Sequence, residues 1–562
     1  MFDVDTIKQT QTRMERGRAA VDGNWGTIAR LVYPEMDGFY GGSMRRWQTQ
    51  RHPGQMGTHS PYAAQALDDG VSVFEGFVMP RGKRWQSLAL DEKLMRSVRV
   101  QQWIEQVEKR LFALRHDPES GFATAVHQSA MSLFAFGAQS MWIEARRDAL
   151  GRVVGLRYQS EFIGEIYKEV DAMRGTLRTH RRFSLTAEQA TGRFGEDAPK
   201  AVRKEMEKGG NRARSFDFLH IVELNVGLDP KRIDARGMPI KSCYFIEGQD
   251  EEVFKVGGYR SQPRITSNFN QTATSDWGYS PTMRVLPQII LDQEISGDRA
   301  LGAELRLKPP LLTNDDELDG AILDLSPFGL TNGGIDERGN PNFREFLTEA
   351  DATDARELNM EARAAIDKAY GRDLLQINRE LKTHITATRT AEEMAEKGVL
   401  LAPYARQESE WLSPMTQREL VLMAELGWMD DMPPEVGEYF EDNGSFHWRY
   451  DNQLSRLMQA QDSAAFLGFA EQVGALAKLA GPEGGRQVLQ DFQREYPMPK
   501  VLRQLGENAG VPASMKATEE EIAAFDQKKA AEEQVAQLAQ AVPLLADAAK
   551  NTAQAASLEG GM

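Results

Sequence analysis

The sequence predicts an α+β, helix-rich fold organised around a projecting pair of helices. Three observations carry that expectation. Helical apolar spacing runs through residues 284–307 and resumes after Asp354, with a turn-rich stretch of Asp, Gly and Asn between the two. Short runs of strand character, separated by Gly and Asp turns, fill much of residues 139–256. From Asn452 onward the chain reads almost entirely as helix, broken at residues 481–485 and 497–499. Of the 562 residues 41% are hydrophobic and 27% charged, enough apolar material to build real cores.

In chain order, residues 4–33 read as a polar helix stopped at Pro34. Residues 44–61 read as a loop carrying Arg45, Arg46, Trp47, Arg51, His52 and His59. Basic and aromatic residues interleaved in this way can hold a phosphate backbone, although a solvated loop with one packed tryptophan is the commoner outcome. A buried helix is expected over 63–78, closed by a turn at 79–85. Two more core helices follow over 98–114, spaced by Trp103, Ile104, Val107 and Leu111, and over 122–136. Strands are expected at 141–144, 153–158, 164–169 and 175–183. After a helical interruption at 186–208, basic towards its end, they resume at 218–226, 242–247 and 251–256.

The arm comes next. Pro281 and Pro287 suit a chain turning into a helix, and Pro309 with Pro310 ends that helix. Asp354 with Glu357 offers a capping pair, and Leu358, Ala362, Ala365, Ile366 and Ala369 continue at helical spacing. Each helix of ~20 residues is about 30 Å long, so two of them joined at their far ends form an arm. Beyond it, residues 374–397 read as mostly helical up to Gly398. Residues 399–427 read as a helix that Pro414 kinks or divides, residues 427–444 as a loop and residues 446–450 as a returning strand. Residues 518–557, rich in Ala, Gln and Glu and interrupted by Pro543, form a helix with a weak apolar face.

Charge and chemistry exclude several classes. A net charge of −16 has the wrong sign for gripping nucleic acid over the whole surface, so DNA would be handled locally or repelled. No run reaches the ~18 uninterrupted apolar residues of a membrane span, and the first residues lack an apolar signal core, so a soluble intracellular product is expected. Cys243 is the single cysteine, which leaves no intrachain disulfide and no thiolate zinc site. The sequence has no G-x-x-x-x-G-K-[ST], H-E-x-x-H, G-x-S-x-G or C-x-x-C motif, and its eight histidines show no metal spacing. Asp315, Asp316, Glu317, Asp319 and Gly320 resemble the start of a calcium loop, but Ser326 stands where a bidentate Glu is required. Paired carboxylates such as Asp68 and Asp69 have no partner that would single them out as acid and base. A non-enzyme without catalytic residue, cofactor or metal is expected.

Several segments, in order, resemble the portal or head-to-tail connector proteins of short-tailed bacteriophages. Tyr279, Ser280 and Pro281 before the first helix, and Leu307, Lys308, Pro309, Pro310 and Leu311 after it, resemble that family's passage into its stem and clip. Thr386, Ala387 and Thr388 resemble the turn after its second stem helix, except that Arg389 stands where an acidic residue is usual. Ser60 to Ala64, Pro80 to Trp85, residues 122–137, and Gly398 to Glu408 with Pro414 and Arg418 also fit.

The resemblance implies a homo-oligomeric ring, usually of twelve subunits, at one vertex of the capsid. Residues 1–280 and the helices of 379–455 would form the wing, 281–310 and 353–378 the stem, 311–352 the clip and 456–562 a helical crown. Double-stranded DNA would pass through the centre during packaging and ejection. Terminase, tail adaptor proteins, capsid and scaffolding proteins would be partners, and no membrane is implied. In residues 310–354 the acidic side chains Asp315, Asp316, Glu317, Asp319, Asp324, Asp336, Glu337, Glu345, Glu349, Asp351 and Asp354 face only Arg338 and Arg344. Asp315, Asp316, Glu317, Asp319, Asp336 and Glu337 would then form an acidic clip or channel surface that repels the duplex, and a solvated turn-rich surface or a docking face for basic partners are the alternatives. Arg379, Lys382, His384 and Arg389 fall where the family places a loop near the channel and are candidate phosphate contacts, although an exposed basic helix face would look the same. Two other readings stay open: a non-catalytic virion scaffold or adaptor without a DNA channel, and a packaging ATPase or nuclease, which would need the missing phosphate loop or a carboxylate metal cluster.

Overall fold

Among the described residues the two largest sheets, of three and five strands, are antiparallel. The computed structural model describes residues 2–39, 58–308 apart from 82–83, 92, 174, 208, 230, 233 and 249–250, and short pieces of 311–341. It further describes 352–372, 404–429, 432–443, 447–450, 453–508 and 522–529 except 526. The chain divides into two units, one of residues 1–87, 110–430 and 448–464, the other of residues 88–109, 431–447 and 465–562.

In the first unit, α1 (Val4–Leu31) starts where the Asp3 side chain accepts a hydrogen bond from the backbone N–H of Thr6. Its buried stripe of Ile7, Met14, Trp25 and Ile28 follows helical spacing, and Trp25 Nε1 donates to the carbonyl of Phe136 at 2.8 Å. α2 (Tyr62–Val78) and α4 (Phe122–Phe136) fill the main core with Leu67, Phe74, Phe134 and Phe136. Between them in sequence come the short strand β1 (Gln86–Ala89) and α3 (Val98–Arg115), whose last turn belongs to this unit. Gly137, at φ 79°, ends α4 and turns the chain into β2 (Ala138–Arg147). A Cβ there would meet the Gly278 carbonyl oxygen at 2.5 Å, so the close approach requires glycine as well.

β2 pairs antiparallel with β3 (Val153–Ser160) on one side and β9 (Arg264–Asn268) on the other. The larger sheet runs in chain order through β4 (Ile166–Val170), β5 (Thr176–Thr186), β6 (Ser215–Leu224), β7 (Ile240–Ile246) and β8 (Glu252–Tyr259). α5 (Ala187–Phe194), opened by a capping box of Thr186 and Gln189, and α6 (Lys200–Met206) lie over it. They close an aromatic core of Phe183, Phe194, Phe218, Tyr244 and Phe254. Arg18 of α1 donates to the carbonyls of Gly164 and Ile166, which satisfies acceptors beside the β4 edge.

A fully buried charged network sits among these strands. Glu161 accepts from Arg264 Nε at 2.7 Å and from Arg181 at 3.0 Å, and Arg264 also faces His220 Nδ1 at 3.1 Å. Burial alone would raise the Glu161 carboxyl, but the two guanidiniums outweigh it and hold it at about 2.

The second unit contains the later part of the helix Gln453–Leu479, then Gly481–Glu495 and Met498–Asn508. Phe466, Phe469, Phe492 and Tyr496 form one aromatic cluster, with Phe492 and Tyr496 centroids 5.2 Å apart. Leu476, Leu479, Leu502 and Phe525 are exposed.

Most of the expected helices and strands agree with these elements; residues 427–444, β9 and β1 differ, β1 being a strand just past the expected turn at 79–85. Residues 427–444 are not all loop, because Pro434–Asn443 is a helix in which Pro434 stands at the start, where a missing N–H costs nothing. β9 escapes the pattern because Arg264, Thr266, Ser267 and Asn268 look solvent-facing, whereas Arg264 and Ser267 are buried by the network and by the neighbouring strand. Residues 374–397 lie outside the described residues.

Candidate functional site: the two-helix arm and its root

The arm begins at a short turn, α7 (Pro281–Arg284), before α8 (Leu286–Leu307). Ser280 caps α7 by accepting from Met283 N at 2.9 Å and also donates to the carbonyl of Ala135 at 2.8 Å. Thr282 donates to the carbonyl of Phe134 at 2.8 Å, which uses its one proton, so Tyr370 Oη at 2.6 Å is the donor in their contact. That contact joins the start of the first arm helix to the end of the second, α9 (Ala352–Tyr370). Asp354 lies in the first turn of α9 and not at its cap.

One to two turns further along α8, two polar side chains point inward. Gln293 accepts from the backbone N–H groups of His59 and Ser60 at 2.7 and 3.0 Å and donates to the Ser60 carbonyl at 2.7 Å. Asp292, fully buried, accepts from Asn359 Nδ2 and Arg363 Nε of α9, both at 2.8 Å. This pairing of a carboxylate with an amide and a guanidinium fixes the register of the two helices more sharply than apolar packing alone.

The far end of the root closes on Tyr62. Its hydroxyl donates to Asp367 at 2.6 Å, and the guanidinium groups of Arg363 and Arg372 lie 4.7 and 5.3 Å from its ring centroid. Desolvation, helped by the bond to Asp367, pushes the Tyr62 hydroxyl up to about 12. Arg372 bridges Asp367 and Asp69, each at 2.8 Å, so Asp69 is an ion-pair partner. α9 ends in a tight stop, with Gly371 at φ 71° and the N–H groups of Gly371 and Arg372 bonded to the carbonyls of Lys368 and Asp367. Residues 373–378, expected to continue the second stem segment, lie outside the described residues. α9 also comes unusually close to α2, since a Cβ on Gly70 would stand 2.9 Å from the Tyr370 carbonyl oxygen.

Apolar side chains on the arm are also bare, on the outer part of α8 and on either side of the buried Asn359. Leu301, Leu307, Leu358 and Met360 are 51, 82, 48 and 70% exposed in the single chain. Beyond α8, β10 (Leu311–Thr313) pairs in parallel with β11 (Leu330–Asn332).

Of the acidic residues expected at the clip, Asp336 alone is described. Its carboxylate accepts from Arg338 N and Asn340 N at 2.9 and 2.7 Å and from Asn340 Nδ2 at 2.9 Å. The bonds from Asn340 hold it below the usual carboxylate range, and in this chain it shapes its own turn. Asp315, Asp316, Glu317, Asp319 and Glu337 lie outside the described residues, as do Arg379, Lys382, His384 and Arg389. The root residues Asp292, Gln293, Asn359, Tyr62 and Arg372 were not singled out by the sequence. The available signal was Asp292 itself, a carboxylate directly after the apolar run Ile289, Ile290 and Leu291. Among the described residues no group of three His, Cys, Asp or Glu side chains is placed to hold a metal. Nor is any described helix long and apolar enough to cross a membrane.

Residues 4–516 match the family described as bacteriophage head to tail connecting protein. The chain belongs to this family. It is 25% identical over 470 residues to the probable portal protein of Bordetella phage BPP-1, covering 82% of this chain and 80% of that protein. It is 22% identical over 532 residues to the portal protein of Salmonella phage epsilon15, covering 93% and 91%. The resemblance to phage portal proteins drawn from the sequence is thus borne out over nearly the whole chain, and the arm and its root fall inside the matched region.

Proposed function

We propose that copies of this chain close into a ring, usually of twelve, at one vertex of a phage capsid, with the α8–α9 arms side by side around a central passage for double-stranded DNA. The observation that carries the reading is the division of the arm. Its inner face is fixed by buried polar contacts, while its outward side leaves Leu301, Leu307, Leu358 and Met360 uncovered. Apolar side chains on a slender pair of helices are most simply covered by the neighbouring arms of a closed, head-to-tail assembly.

In this reading residues 1–280 and the helices of 379–455 form the wing, 281–310 and 353–378 the stem, 311–352 the clip and 456–562 the crown. The ring is non-catalytic. Terminase docks on it to drive packaging, tail adaptors replace the motor afterwards, and capsid and scaffolding proteins hold its rim. The acidic clip of Asp315, Asp316, Glu317, Asp319, Asp336 and Glu337 keeps the duplex from sticking, and Arg379, Lys382, His384 and Arg389 make transient phosphate contacts.

Native mass measurement combined with cryo-electron microscopy of the purified chain tests this. Rings with a central hole wide enough for a duplex and with α8 and α9 lining its narrow part are expected. A monomer or dimer at high concentration would overturn the ring and every channel assignment with it.

A further inference from the structure

A helix later in the chain holds one residue too many. Described from Tyr404 onward, it widens into a π-turn over Glu408–Leu412 and continues as the α-helix Ser413–Glu425. Within the wide turn the N–H of Ser413 bonds to the carbonyl of Glu408, five residues back. Pro414 explains its position. Having no N–H, it cannot make the α-helical bond to the carbonyl of Glu410, so the ladder is already broken where the extra residue sits.

The turn is frustrated on its buried face. Gln407 and Trp411 are both fully buried, yet Gln407 Oε1 accepts no hydrogen bond and Trp411 Nε1 donates none. An unused acceptor just before the turn and an unused donor within it therefore stand four residues apart. What holds the wide form in place comes from the end of β9. Gln407 Nε2 donates to the Asn268 carbonyl at 2.7 Å, Asn268 N donates to Glu410 Oε2 at 3.2 Å, and Arg406 donates to Asn270 Oδ1. The ring of Trp411 lies stacked on Phe74, 6.1 Å between centroids, and anchors the other side in the core.

We propose that Glu408–Leu412 is a register switch, a turn that stores one residue and can release it. Release turns the wide segment into ordinary α-helix. Residues 404–407 then rotate by about 100° and shift by about 1.5 Å relative to 413–425, one helical step. Gln407 leaves the Asn268 carbonyl, which loses its side-chain donor, because the Glu408 carboxylate that follows has no N–H to offer. The switch thereby links the setting of residues 404–407 to the hold on residues 268–270 at the end of the smaller sheet. Two discrete packings of one segment are the usual basis of such a device, and the inference stands whether or not the chain forms a ring.

Hydrogen exchange read by mass spectrometry on the intact full-length protein tests it. The amides of 409–413 are expected to exchange about tenfold faster than those of 418–425. Deleting Ser409, which is exposed and lies in the wide turn, removes the stored residue and should bring the two stretches to equal protection with the same far-UV spectrum. Pro414→Ala restores the missing N–H and should slow exchange of 409–413 in the same direction, which keeps the test open if the deletion does not fold. Equal protection of the two stretches in the native chain overturns the proposal. So does fast exchange at 409–413 that Pro414→Ala leaves unchanged.

Discussion

Tyr370 Oη lies 2.6 Å from Thr282 Oγ1, so the last residue of the second arm helix holds the first turn before the other. Both residues are buried, and Phe134 of the core accepts from the same threonine. The arm is thus fastened to the core through one short chain of hydroxyls. Tyr370→Phe removes a single buried bond while Thr282 keeps its carbonyl partner, so a loss of about 1 kcal/mol is expected in urea unfolding. Gly70→Ala attacks the same junction by bulk. Its methyl group would press on the Tyr370 carbonyl oxygen from 2.9 Å, and a larger loss of about 1 to 3 kcal/mol is expected.

Asp292→Ala leaves the buried amide of Asn359 and the guanidinium of Arg363 without their shared acceptor. A loss of about 1 to 3 kcal/mol follows, concentrated in the arm. Hydrogen exchange should rise across residues 352–370 and stay unchanged in β5 to β7. Uniform exchange across the first unit would show that the pair does not hold the arm.

Arg115 and Glu419, both essentially inaccessible, form a buried ion pair with Nε to Oε1 at 2.9 Å, joined by Tyr158 and Thr416. Arg115→Met strands the carboxylate, and a loss of about 3 to 5 kcal/mol is expected. The double variant Arg115→Met with Glu419→Leu should recover most of it. Equal thermal midpoints for the single and double variants would contradict this.

Acid should unfold the first unit through its sheets. Burial, helped by Arg178, Arg264 and Arg182, lowers His180 to about 3, and burial with Arg264 lowers His220 well below its ordinary value. Both are neutral in the folded chain and charge readily once unfolded. Their contribution, on the order of a few kcal/mol for His180, is complete above about pH 6.5 and lost as pH falls towards 3. Glu161, held at about 2, adds a loss between about pH 4.5 and 2 in the same direction. His180→Gln should flatten the decline of the unfolding midpoint between pH 6.5 and 4 while leaving the steeper loss below it.

Lys168 behaves in the opposite range. Burial lowers its amine to about 8, and Nζ donates to Asn268 Oδ1 at 2.7 Å. The neutral form is favoured by folding, so stability should rise as pH climbs from about 8 to 10.5. Lys168→Met should abolish that rise, measured as the midpoint of urea unfolding at pH 8 and pH 10.

Periodicity made the helices legible, because a helix that buries one stripe must repeat its apolar residues at that spacing. The prolines marked the boundaries of α8 for an equally local reason, the missing N–H. What stayed hidden was polar and distant. Tyr62 and Asp367 meet across 305 positions, and Gln293 reaches Ser60 across 233. Arg264 reads as a surface cation until Glu161, 103 residues earlier, is seen beside it.

By itself the sequence determined the helical arm, the strand-rich region before it and the kinship with phage portals, since turn residues, apolar spacing and ordered motifs are all written along the chain. The tertiary structure alone decided which charges are buried, where the arm is fastened and that an extra residue is stored beside Pro414. Those properties depend on partners brought together by packing. A carboxylate has the same formula in water and in a core, and only its neighbours decide whether it repels, pairs or holds two helices in register.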